Sequence, residues 1–133
     1  MSNNKQIVIL HNIRKNRADK MAAEYRKALD EVKVAEMEIE KIIESRMLLK
    51  EQLKNVKISF SKVLMNSVID HITLTSWRVS IGILEREISD SVVLESECRS
   101  KVDGLKVLAD EKKIEYRKVM VACEKIELMQ SLI

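Results

Sequence analysis

Few side chains in this sequence combine a reactive type with a useful spacing. Thiolate and imidazole groups together can hold zinc or activate a nucleophile, and the chain has two histidines, His11 and His71, and two cysteines, Cys98 and Cys123. Neither cysteine has a histidine near it in sequence, and no CxxC, HExxH, glycine-rich phosphate loop or calcium-loop pattern occurs. Glu36, Glu38 and Glu40 are spaced by two, so on a helix they point to different sides and cannot share acid-base work. These residues predict no catalytic group, no metal site and no cofactor. The cysteines read as reduced, buried small hydrophobes.

The elements that must position these residues are long helices. The 133 residues include no proline and only two glycines, Gly82 and Gly104, so both strong helix breakers are nearly absent. Charged residues make up 34% and aromatics 3%, a balance that suits a coiled coil better than a thick globular core. From Ala18 onward apolar residues recur in alternating steps of three and four. One set runs Ala18, Tyr25, Val32, Ile39, Arg46, Leu53, Phe60, and the other Met21, Ala28, Ala35, Ile42, Leu49, Val56, Val63. All but Arg46 are apolar, and the mean spacing of about 3.5 residues makes the narrow seam of a left-handed supercoil. A second frame runs from Ile81 and Leu84 to Gln130 and Ile133, interrupted by Ser91, Glu95, Lys112 and Gln130. Its phase passes unbroken through Asp103-Gly104, so Gly104 is expected inside a helix and not at a turn.

Between the frames lies Asn66-Ser67-Val68-Ile69-Asp70-His71-Ile72-Thr73-Leu74-Thr75-Ser76-Trp77, a cluster of side chains that favour caps and turns. The expected fold is therefore all-α, a long two-helix antiparallel coiled-coil hairpin and a single domain over 1–133. Helix one covers about 5–65, the turn about 66–76 and helix two about 77–132. A helix of roughly 60 residues would be about 90 Å long, and the chain would be a monomeric rod. Matching large against small seam residues sets Ala35 against Ala109, Ala28 against Tyr116, Tyr25 against Val119, Met21 against Cys123 and Phe60 against Leu84. Registers one heptad away satisfy the same periodicity. In the chosen register Arg46 lies one layer from Glu95, and this pair could fix the alignment of the helices.

A net charge of +3, interspersed with acids, argues against nucleic acid as a partner. The apolar run Ile7-Val8-Ile9-Leu10 is too short for a signal core or a membrane span, so no membrane insertion and a cytoplasmic location are expected. Two surface features remain. The first is the basic opening with Lys5, Arg14, Lys15, Arg17, Lys20, Arg26 and Lys27, and the second is the apolar turn region with Trp77.

The basic Leu10-His11-Asn12-Ile13-Arg14, followed by Arg17-Ala18-Asp19-Lys20, resembles the start of the injectisome YscO-type proteins. Trp77 with Leu84-Glu85-Arg86-Glu87-Ile88 is similar to the start of the second helix in the flagellar FliJ proteins, although Ser80 and Gly82 stand where those carry aromatics. Together these are the central-stalk proteins of type III secretion ATPases. The resemblance implies a non-catalytic stalk in the pore of the hexameric secretion ATPase at the cytoplasmic base of a bacterial secretion apparatus. It implies an export-gate protein and secretion chaperones as further partners. Matched by position, Arg14, Lys15, Arg17 and Lys20 would face the ATPase, and Ile72, Leu74, Trp77, Ile83 and Leu84 the export gate. From the residues alone, a coiled-coil scaffold or tether unrelated to any ATPase stays open.

Overall fold

A computed structural model describes residues 2–66, 68 and 70–132. Two helices account for nearly all of them: α1, Ser2–Asn66, and α2, His71–Leu132, packed against each other as an antiparallel hairpin with no strand among the described residues. Each described seam position is buried or half-buried, from Ala18 to Val63 on α1 and from Ile81 to Gln130 on α2. Ile133 of the second frame lies outside the described residues. The seam also extends beyond the predicted stretch. Ile7, His11 and Arg14 continue the α1 phase backward, and Leu74 and Trp77 continue that of α2; all five are half-buried. Helix α2 runs unbroken through Gly104.

The reversal is tighter than the residue types suggest. Helix α2 begins at His71, ahead of Trp77, so most of the expected turn is helical; Ser67 and Ile69 of that turn lie outside the described residues. The polar cluster is absorbed by capping. Asp70 accepts a bond from the Thr73 backbone N–H on Oδ1 at 2.7 Å, which satisfies a donor that a helix start leaves unpaired, and its carbonyl accepts the first bond of the helical ladder, from the Leu74 N–H at 3.1 Å. The Thr75 hydroxyl donates to the His71 carbonyl at 2.8 Å, within the helix. Side chains that compete with helical bonds here supply helical partners instead.

The chain forms two compact units, one pairing α1 up to Ala35 with α2 from Lys101, the other comprising Glu36–Ser100. In the first, Ala18, Ala28, Val32 and Ala35 are buried on α1 and Val102, Ala109, Val119, Cys123 and Ile126 on α2. Ala28 and Val32 cluster with Ala109, and Leu105 packs against them. Tyr25 and Tyr116 lie beside each other with ring centroids 6.4 Å apart. In the second unit Phe60 stacks on Trp77, with centroids 5.3 Å apart and ring planes 22° from parallel.

These contacts correct the predicted register by one heptad. Phe60 stacks on Trp77, one heptad from the predicted partner Leu84, and Ala28 clusters with Ala109, one heptad from the predicted partner Tyr116. The cause is the short reversal. Because α2 starts early enough for Leu74 and Trp77 to join the seam, the last layers of α1 find them first.

Two outcomes follow for stability. Gly82 and Gly104 sit inside α2, where an added Cβ would meet nothing within 4 Å. Gly104→Ala should therefore raise the unfolding free energy by about 1 kcal/mol in urea titrations. A double-mutant cycle of Phe60→Leu and Trp77→Leu should return a coupling of about 0.5–1.5 kcal/mol, whereas Phe60→Leu with Leu84→Ala should show a smaller one.

Candidate functional site

Arg46 and Glu95 are the charged exceptions that meet in the seam of the second unit. Arg46 Nη2 lies 2.5 Å from Glu95 Oε1, and the side chains are only 15% and 18% exposed. Arg99, one turn along α2, donates from Nε to the other carboxylate oxygen at 2.9 Å. The bond from Arg46, then that from Arg99, holds the Glu95 carboxyl below its ordinary range. A carboxylate clasped from two sides is a structural device, with one guanidinium nitrogen of Arg46 left buried and unpartnered among the described residues. Its geometry suits alignment of the helices.

The predicted ATPase-facing residues divide. Arg14 lies on the seam and is half-buried, donating from Nη1 to the Ala122 carbonyl at 3.0 Å. Lys15, Arg17 and Lys20 are exposed, and among the described residues none of them has an ion-pair partner. Helical spacing puts Arg17 and Lys20 on the same face as Ile9 and Ile13, which are 58% and 59% exposed. The result is a mixed cationic and apolar face on α1. Basic residues were legible in sequence; the withdrawal of Arg14 was not, although extending the heptad phase backward would have flagged it.

The predicted gate-facing residues divide in the same way. Leu74, Trp77 and Leu84 are half-buried seam residues, whereas Ile72 and Ile83 are exposed. Val79, unremarked in the sequence reading, is exposed and shares a helical face with Ile72 and Ile83. The tip therefore offers aliphatic surface, while its tryptophan is engaged with Phe60.

Among the described residues one group could supply metal ligands, His11, Cys123 and Glu127. It joins α1 to α2 within the first unit, so Cys123 does have a histidine beside it in space.

The clasp on Glu95 has a pH signature. A carboxyl whose folded pKa is depressed contributes stability that is fully present above its ordinary value near 4.5 and is lost as pH falls through the lower folded value. The urea midpoint should drop on acidification through this window, and Glu95→Gln should flatten that drop; an unchanged slope would refute the clasp. Comparison of the chain with family models, with curated proteins and with solved structures finds no match.

Proposed function

We propose that this chain is a non-catalytic docking hairpin, the central stalk of a type III secretion system. In this reading it sits in the pore of the hexameric secretion ATPase and links that ring to the export gate, with secretion chaperones as further partners. The observation that carries the reading is the exposed face of Ile9, Ile13, Arg17 and Lys20; Lys15 is exposed on a different side of α1. Exposed cations with no ion-pair partner among the described residues, next to exposed aliphatic side chains, suit an acidic, partly apolar partner surface, where charge sets orientation and association rate. The sequence resemblance to the stalk proteins supplies the identity of that partner. Exposed Ile72, Val79 and Ile83 supply the second contact, toward the gate. No described helix is long and apolar enough to cross a membrane, which suits a stalk that meets the gate from outside the bilayer.

Such a protein hydrolyses nothing. It acts by contacting the ATPase subunits unequally, because a partner shifts a conformational equilibrium only through differential affinity for its states. Wild-type protein should raise the hydrolysis rate of a cognate hexameric secretion ATPase in low salt, and the Lys15→Glu/Arg17→Glu/Lys20→Glu variant should lose that stimulation while keeping its helicity. Absence of both binding and stimulation with the wild type would sink the reading.

One observation favours the tether alternative. Val107, Ile114, Val121 and Leu128 recur at heptad spacing on α2 outside the seam and are 48% to 62% exposed. A second copy could cover such a stripe. In that case sedimentation should show a concentration-dependent dimer that Ile114→Lys/Val121→Lys abolishes; a monomer at all concentrations excludes it.

A further inference from the structure

We propose that His11, Cys123 and Glu127 form a zinc site that clips α1 to α2 in the first unit. Cys123 and Glu127 are one helical turn apart and therefore project from the same side of α2, with Sγ and Oε1 3.9 Å apart. His11 comes from the facing seam of α1, and one ligand atom from each of the three lies within 4.8 Å of the other two. A second observation points to a ligand: His11 Nδ1 is buried and has no hydrogen-bond partner among the described residues. Cys123 is 6% exposed, whereas Glu127 lies at the surface and gives an ion a way in.

The donor set selects the metal. One sulfur, one imidazole nitrogen and one carboxylate oxygen match zinc, with water in the fourth tetrahedral position. Calcium and magnesium demand oxygen donors throughout. Bond lengths of about 2.0–2.3 Å require the three atoms to draw somewhat closer than they stand, a movement within reach of side-chain rotation. On binding, the Cys123 thiol loses its proton to solvent, Glu127 binds as carboxylate and His11 binds through a neutral ring nitrogen. No electron changes hands. Thiolate and carboxylate balance the two positive charges of the ion. The inference is independent of the secretion reading, since a metal clip would brace this unit in a stalk or a tether alike.

Cobalt(II) is the spectroscopic probe. Added to the full-length chain, it should give a thiolate-to-cobalt band and the strong visible bands of a tetrahedral site at one equivalent, and zinc should displace it. Cys123→Ser and His11→Gln should abolish the thiolate band and the tetrahedral bands respectively, while Cys98→Ser leaves both intact. Glu127→Gln, a surface change that should spare the fold, should weaken zinc binding at least about tenfold in competition with a chromophoric chelator. Circular dichroism of the metal-free variants checks folding. The proposal is overturned if the wild type gives no thiolate band, if that band survives in Cys123→Ser, or if Glu127→Gln binds zinc as tightly as the wild type.

Discussion

Interhelix packing along the heptad seam is the constraint on which everything else rests. Isolated helices gain too little from backbone bonds to hold their length in water, so most of their stability must come from burying one face. With no proline and with glycine confined to Gly82 and Gly104, the chain lets two helices run long enough to share such a face. Small residues do much of the work in the first unit, where Ala18, Ala28, Ala35 and Ala109 are buried almost completely and leave room for the tyrosine pair beside them. In the second unit the seam is more open. Ile39 is its one buried hydrophobic residue among those described, and the charged clasp of Arg46 and Glu95 interrupts the apolar run. The clasp ties the two helices together at this layer, but Arg46 and Glu95 lie close enough to meet in either of two registers a heptad apart, so the pair alone does not choose between them.

A pair of helices can bury only one stripe of each. The remaining surface must be solvated or covered by a partner, and this chain leaves aliphatic residues on its outer faces, Ile9 and Ile13 on α1 and Ile114 and Val121 on α2 among them. Scattered exposed apolar residues need no explanation, whereas rows at helical spacing suit contact with other chains. That geometry is why function is sought in docking.

Local propensity and tertiary demand conflict at the reversal. Asp70, Thr73 and Thr75 favour caps and turns, and propensity alone places them in a turn over about 66–76; Asp70 instead caps an early start of α2, and Thr75 bonds back within it. That early start moved the partners by a heptad. Arg46 still reaches Glu95, because the two lie in neighbouring layers in either register. Of the surface candidates, Lys15, Arg17, Lys20, Ile72 and Ile83 are exposed, while Arg14, Leu74, Trp77 and Leu84 belong to the seam.

Periodicity by itself determined that the chain is helical, where the seam runs and that Gly104 lies within a helix, since each of these depends on neighbours a few residues apart. It could not determine which α2 residue faces a given α1 residue. A seam that repeats every seven residues looks the same after a slip of seven, and the choice among slips is made by the length of the reversal, where the capping bonds of Asp70 start α2. Contacts between distant residues inherit that choice. The stack of Phe60 on Trp77 and the meeting of His11 with Cys123 and Glu127 exist only in the register that the folded hairpin adopts.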